Sequence, residues 1–146
     1  MKNRKAFLDM VAHSEGTAGL GDNGYNVLVG GSLFQDYSDH PRKLITIRPG
    51  LKSTAAGRYQ LLSRYYNHYK ILLGLKDFSP ASQDAIALQQ AREQGAMGDI
   101  DSGNINAAIA KCANIWASFP GAGYGQHEHK LSTLRVAYLD AGGTIV

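Results

Sequence analysis

Residues 4–16 read RKAFLDMVAHSEG and carry a clear helical pattern. Apolar side chains recur there at the three- and four-residue steps of one helix face: Leu8, Val11 and Ala12. The same face continues to Glu15, and the glycine that follows is a natural stop. The pattern therefore predicts a helix that ends on a carboxyl group lying on its buried side.

The residues after this helix predict a small sheet. A loop rich in Gly, Asp and Asn comes first, and residues 25–29 and 32–34 then flank a Gly-Gly pair that suits a two-residue hairpin turn. Residues 44–47 form a third β-prone segment, which is closed by Pro-Gly. We expect two or three short strands in this part of the chain.

The remaining sequence predicts helices over four segments: residues 59–73, 80–94, 104–117 and 126–140. Ser79 suits an N-cap and Pro80 suits the first helical position of the second of these helices. One helix, a small sheet and several helices together predict an α+β fold. We expect a single domain over residues 1–146, with a small β-sheet lobe, a larger helical lobe and a binding cleft between them.

Composition excludes several classes of function. The net charge is only +3, and Lys and Arg are scattered, so we expect no nucleic-acid partner. No segment has the length of an apolar membrane span, and the N-terminal residues lack the apolar region of a signal peptide. We therefore expect no stable membrane insertion. A single cysteine permits no internal disulfide, so we expect folding in a cytoplasm. Cys112 lies on an apolar helical stripe and is interpreted as a core residue.

Two other motifs resemble ligand-binding sites but lack the residue spacing that such sites need. His127, Glu128 and His129 resemble metal ligands, yet residues two apart point to different sides of a helix, so we expect no metal. The glycines of residues 120–126, PGAGYGQ, lack the spacing of a nucleotide-binding loop. We expect no cofactor.

Glu15 is the candidate for chemistry. Burial and the negative end of the helix dipole both disfavour its charged form, so its pKa should rise. A carboxylic acid that stays protonated near neutral pH can protonate a glycosidic oxygen. The alternative is an ordinary exposed or hydrogen-bonded glutamate at a helix end. Residues 52–62, KSTAAGRYQLL, combine small residues with a ring and amide groups that suit sugars, although an ordinary turn into a helix would look the same.

Seven segments resemble one family over nearly the whole chain: KAFLDMVAHSEGT, GGSLFQDYSDHPRKL, LKSTAAGRYQLLSR, LGLKDFSP, ALQQ, NIWASFPGAGYGQHEHK and AGGT. On these motifs the chain resembles the bacteriophage and prophage endolysins related to that of phage lambda. The resemblance implies a lysozyme-like α+β fold and lytic transglycosylase activity, which cleaves peptidoglycan glycan strands without adding water. It also implies that the glutamate of SEGT, Glu15, is the essential acid.

The resemblance further suggests which residues bind the glycan. We expect this role for six residues: Tyr59, Gln60, Tyr124, Gln126, Tyr25 and Asp36. It implies a monomer that accumulates in the host cytoplasm until a holin opens the membrane to the periplasmic murein. Two alternatives stay open, a hydrolytic muramidase that uses water and a murein-binding protein without catalysis. A hydrolase of the usual type needs a second carboxylate, and spacing singles out none.

Overall fold

A computed structural model of the chain describes residues 2–123 and 127–146. Within these residues the elements run α1 Lys2–Glu15, β1 Ile45–Arg48, β2 Leu51–Ser53, α2 Ser63–Leu73, α3 Pro80–Glu93, α4 Met97–Ser102, α5 Ile105–Cys112 and α6 Leu131–Asp140. This order confirms the predicted α+β class. No helix of the described residues has both the length and the apolar character needed to cross a membrane.

The chain divides into two compact units. Unit 1 comprises Met1–Gly16 and Ala87–Val146, and unit 2 comprises Thr17–Ile86. The division falls inside α3. The single domain over residues 1–146 stays a prediction.

Unit 1 is organised around α1, which packs against α6 and α4. The apolar face predicted for α1 is buried, and Phe7 and Met10 beside it are fully buried as well. Burial of such side chains is the main favourable term in folding. The side chain of Asn3 accepts the backbone N–H of Thr144 at 3.0 Å, which holds the C-terminal residues on α1. Cys112 is buried, which confirms its interpretation as a core residue.

Unit 2 has its own apolar core and a short sheet. The core residues share burial within one cluster: Leu28, Phe34, Ala56, Leu61, Tyr66, Tyr69, Phe78 and Ile86. Strands β1 and β2 are antiparallel, with Ile45 opposite Ser53 and Arg48 opposite Leu51. Gly50 turns the chain between them at φ 79°, a conformation that favours glycine.

The predicted first hairpin is only partly correct. Gly30 and Gly31 do turn the chain with positive φ, and the N–H of Leu28 donates to the carbonyl of Ser32 at 2.7 Å. The flanking residues 25–29 and 32–34 nevertheless make isolated bridges and no strand of the sheet. Residues 27–29 also bond to residues 55–57, since the N–H of Val29 donates to the Ala55 carbonyl at 3.0 Å and Leu28 pairs with Ala56.

Only α1 and α3 have bounds within two residues of the predicted ones. The N-cap of α3 is confirmed, since the N–H of Ser82 donates to Ser79 Oγ at 3.3 Å. Helix α2 begins at Ser63, four residues later than predicted, because Gln60 has φ 55° and cannot continue a helix. Helix α5 ends at Cys112, earlier than the predicted residue 117, and α6 begins at Leu131, later than the predicted residue 126. Helix α4 was not predicted.

Candidate functional site

Glu15 is the last residue of α1 and remains partly exposed. Ser118 Oγ donates a hydrogen bond to its Oε2 at 2.6 Å. Burial raises the pKa of the Glu15 carboxyl to about 7, and the Ser118 hydrogen bond opposes that rise. Because the charged form loses hydration, the acid and the carboxylate have similar free energies near neutral pH. The group can therefore both give and take a proton there.

Aromatic packing holds Ser118 next to α1. It follows α5 and stands in the sequence between Trp116 and Phe119, whose buried rings have centroids 5.6 Å apart. Phe7 of α1 meets Trp116 edge to face at 6.0 Å. Such ring pairs add to the stabilisation that comes from burial alone. The position of Ser118 thus follows from core packing inside unit 1.

A second serine and a histidine join the same group. Ser14 Oγ lies 2.6 Å from Ser118 Oγ. His129 contacts the backbone of both serines. Its backbone N–H donates to the Ser118 carbonyl at 2.8 Å, and its ring Nε2 lies 3.0 Å from the Ser14 carbonyl. A carbonyl oxygen only accepts, so Nε2 of His129 carries a proton. The sequence reading singled out neither serine.

The predicted binding residues Tyr25 and Tyr59 come together in unit 2 on the carboxylate of Asp84. The hydroxyl of Tyr59 donates to Asp84 Oδ1 at 2.6 Å, and that of Tyr25 donates to the two carboxylate oxygens at 3.0 and 3.2 Å. Burial, followed by repulsion from Asp84, raises the pKa of both phenols. The rings meet edge to face, with centroids 6.4 Å apart. Both hydroxyls therefore stay protonated and directed at Asp84.

Arg58 braces this pair of rings. Its guanidinium lies 5.3 Å from the centroid of the Tyr25 ring, and its Nη1 donates to the Tyr59 hydroxyl at 3.2 Å. The side chain is buried, and its Nε donates to the Asn23 carbonyl at 2.9 Å. A buried cation needs such partners, and the ring faces supply part of them.

Gln60 adjoins the same turn. Its side-chain amide donates to the carbonyls of Gly57 at 2.9 Å and Val27 at 3.3 Å. Asp36 is exposed, and its carboxylate accepts the N–H of Ser38 at 2.8 Å. No hydrogen bond among the described residues joins Asp36 to the two tyrosines.

The other predicted residues are distributed as follows. Glu15 belongs to unit 1, whereas Tyr25, Tyr59, Gln60 and Asp36 belong to unit 2. Tyr124 and Gln126 lie outside the described residues. Asp84 was not predicted as a site residue, and its carboxylate accepts hydrogen bonds from both tyrosines.

The segment 127–129 has structural contacts. The carboxylate of Glu128 accepts the N–H groups of Gly121 and Gly123, each at 3.0 Å. The rings of His127 and His129 are 5.3 Å apart. Within residues 2–123 and 127–146 no group of three or more His, Cys, Asp or Glu side chains could hold a metal ion.

Comparison with known proteins is consistent along the whole chain. A family model described as Endolysin matches residues 5–145. The chain is 62% identical over 146 residues to the endolysin of Escherichia phage lambda, an alignment that covers 97% of this chain and 92% of that protein. It is 50% identical over 155 residues to the endolysin of Escherichia phage P2, with 97% and 94% coverage.

Solved structures agree with the sequence comparison. Bacteriophage lambda lysozyme complexed with a chitohexasaccharide matches with a TM-score of 0.98 and 61% identity, over 100% of this chain and 97% of that chain. A second structure, lysozyme from bacteriophage lambda, matches with a TM-score of 0.93 and 60% identity over the same shares. The predicted lysozyme-like fold is confirmed. By its sequence over residues 5–145 and by its fold, this chain belongs to the Endolysin family.

Proposed function

We propose that this endolysin cleaves the glycan strands of bacterial peptidoglycan as a lytic transglycosylase, with Glu15 as its acid and its base. The main support is the state of Glu15, a partly exposed residue whose carboxyl pKa is raised to about 7 by burial. In a lytic transglycosylase with one catalytic carboxyl, the same group must first donate a proton and then accept one. A pKa near the working pH serves both steps, because neither protonation state is scarce.

The proposed reaction has two steps and consumes no water. Glu15 transfers its proton to the oxygen that bridges N-acetylmuramic acid and N-acetylglucosamine, the bond from that oxygen to the muramic acid C1 breaks, and the glucosamine leaves with a free hydroxyl. Positive charge develops at C1. The 6-hydroxyl of the same muramic acid then bonds to C1 as its proton passes to the Glu15 carboxylate. The products are a 1,6-anhydro end and a regenerated acid.

The substrate class is supported by a relative. Bacteriophage lambda lysozyme, which is 61% identical to this chain, has been solved complexed with a chitohexasaccharide, a linear amino-sugar oligomer. We propose that this chain binds the amino-sugar backbone of murein through the residues predicted above. Tyr25 is partly exposed, and Asp84 fixes its hydroxyl, so it suits contact with a sugar face. The buried Tyr59 suits a supporting position.

The route to the substrate is part of the same proposal. The chain accumulates as a monomer in the host cytoplasm and reaches the periplasmic murein after a holin permeabilises the membrane. Its membership in the Endolysin family supports this route. Lysis of cells that express the chain with and without a holin tests it, since only the pair should lyse the cells.

Product analysis on purified murein tests the reaction. Mass spectrometry of the soluble fragments should find 1,6-anhydro ends with the wild-type chain, whereas reducing ends would identify a hydrolytic muramidase. Glu15→Gln should lower the rate by about 10²- to 10⁴-fold, because an amide cannot transfer the proton. Glu93→Gln makes the same change on the exposed side of α3 and serves as the control. Full activity in Glu15→Gln would exclude Glu15 as the acid, and an inactive wild type would favour a murein-binding protein.

A further inference from the structure

The hydroxyl groups of Ser14 and Ser118 form a chain that ends on the Glu15 carboxyl. Ser118 Oγ lies 2.6 Å from Glu15 Oε2, and Ser14 Oγ lies 2.6 Å from Ser118 Oγ. Both serines are buried, with 4% of Ser14 and 9% of Ser118 exposed, so little water competes for these hydrogen bonds. Short bonds to a charged oxygen are the strong ones.

The direction of the hydrogen bonds follows from counting hydrogens. An ionised carboxylate can only accept, so Ser118 donates to Glu15. A hydroxyl has one hydrogen, so Ser118 must then accept in its bond with Ser14, and Ser14 donates. The order is therefore Ser14 to Ser118 to Glu15.

This order makes the two carboxyl oxygens of Glu15 different. Oε2 is the acceptor of Ser118, whereas Oε1 makes no hydrogen bond to any described residue. The Glu15 side chain as a whole is partly exposed. A proton on Oε1 leaves the serine chain intact. A proton on Oε2 makes that oxygen a weaker acceptor for Ser118, and where it points at Ser118 both hydroxyls must turn.

We propose that Ser118 and Ser14 are positioning residues that keep Glu15 Oε2 as a hydrogen-bond acceptor and so make Oε1 the oxygen that carries the catalytic proton. The inference rests on the proposed function of Glu15 and adds which atom acts. The backbone supports it, because His129 contacts the carbonyls of both serines and holds the end of α1 against the segment after α5.

Other charged groups do not explain the state of Glu15. Among the described residues, the nearest ionisable side chain along α1 is His13, and the segment before α6 carries His127, Glu128, His129 and Lys130. In the described part of the chain only burial and the Ser118 hydrogen bond shift the Glu15 pKa. Removal of the Ser118 hydroxyl should therefore move that pKa upward.

The test compares Ser118→Ala, Ser118→Thr and Ser14→Ala with the wild-type chain. Ser118→Ala should lower kcat for murein about tenfold or more, the loss expected for a hydrogen bond to a charged group. KM should change little. The alkaline limb of the pH profile should move to higher pH, because the acid keeps its proton longer. Ser118→Thr keeps the hydroxyl and should restore most of kcat. Ser14→Ala removes only the second link and should lower kcat about fivefold.

A readout without substrate separates this inference from the proposed function. Carboxyl ¹³C NMR follows the titration of Glu15 itself, and its pKa should rise in Ser118→Ala. If that pKa stays at the wild-type value, the positioning inference is overturned, whatever Glu15→Gln does to activity. If it rises and kcat falls while Glu15→Gln stays active, the inference is overturned together with the role of Glu15 as the acid.

Two variants guard against a trivial loss of folding. Ser82→Ala is the matched control in unit 2, because Ser82 is also buried and donates to a carboxylate, Asp77 Oδ1, at 2.7 Å. It should keep the wild-type kcat and pH profile. Ser14→Ala introduces the best helix former into α1, so we expect this variant to fold. If Ser118→Ala does not fold, the activity of Ser14→Ala provides the test. Wild-type kcat in Ser14→Ala would then overturn the inference.

Discussion

Glu15 combines two opposing influences on one carboxyl group. Loss of hydration at the end of α1 raises its pKa, and the donor hydroxyl of Ser118 lowers it. The value of about 7 that results suits proton transfer but has a cost for folding. An unfolded chain ionises the same group at its ordinary pKa of 4.5, so the two states bind different numbers of protons between these values.

This difference predicts that Glu15→Gln stabilises the chain at neutral and alkaline pH. A raised carboxyl pKa contributes its full stabilisation below pH 4.5, and that stabilisation is lost as the pH rises through about 7. The amide does not ionise, so the variant escapes the loss. Above pH 7 it should exceed the wild-type free energy of unfolding by about 1–3 kcal/mol, a range reduced for the partial exposure of Glu15. Urea unfolding at pH 4.5 and pH 8 measures both ends.

At the low-pH end the two proteins should have nearly equal stabilities, which makes that measurement the internal control. A variant that is less stable than wild type at pH 8 would contradict the raised pKa of Glu15.

At this scale the sequence predicts the residue whose local context is unusual and misses those whose role is long-range. Glu15 could be found because it continues an apolar helix face to its end. Ser118 lies 103 residues away in the chain, and nothing in its neighbourhood marks it as a partner. Asp84 is 59 residues from Tyr25, and on its own helix it looks like any solvated acidic residue. Such contacts arise only when the core has packed.

The elements show a similar division. Helix α1 was predictable because apolar periodicity and an end signal agree. Helix α3 was predictable because Ser79 and Pro80 mark its start and Gly95 follows its end. Helix α4 has six residues, too few to show a period. The start of α2 was misplaced because the helical spacing of its aromatic residues extends back to Tyr59, into a turn that the spacing does not reveal.

That turn, residues 57–60, supports a prediction about Gly57. Its φ is +84°, and a Cβ placed there would collide with Gln83 Oε1 and come within 2.9 Å of Phe78 Cζ. Because Gln83 Oε1 accepts the N–H of Arg58 at 2.9 Å, Gly57→Ala should also disturb the residue that braces Tyr25. We expect a loss of about 3 kcal/mol or more in the free energy of unfolding, from backbone strain plus overpacking.

Gly50→Ala is the matched control for this experiment. Gly50 turns the chain between β1 and β2 at φ +79°, with no atom within 4 Å of an added Cβ. It should therefore show the backbone term alone, about 1–2 kcal/mol. Chemical denaturation of both variants measures the difference, and equal losses would mean that the Gln83 contact adjusts without cost.

In the whole molecule, one group in each unit responds to pH in the opposite direction to the other. Unit 1 contains Glu15, whose raised pKa favours folding in acid. Unit 2 contains His40, which is 2% exposed and has its pKa lowered from 6.5, chiefly by burial. Its Nδ1 accepts the N–H of Arg42 at 2.9 Å, so the neutral ring donates from Nε2 to the Leu61 carbonyl at 2.8 Å. Protonation of Nδ1 would break the first of these bonds.

The opposition yields a prediction about slopes. A lowered histidine pKa contributes stability that is present above pH 6.5 and is lost as the pH falls through the folded-state value. Glu15→Gln removes the Glu15 response and keeps that of His40, so its free energy of unfolding should rise with pH between pH 5 and pH 8. His40→Gln removes the His40 response and keeps that of Glu15, so its free energy of unfolding, although smaller throughout, should fall over the same interval. Urea unfolding at several pH values gives each slope, and His68→Gln, on an exposed histidine of α2, controls for a histidine replacement. Slopes of equal sign in the first two variants would contradict the assignment of opposite proton preferences to Glu15 and His40.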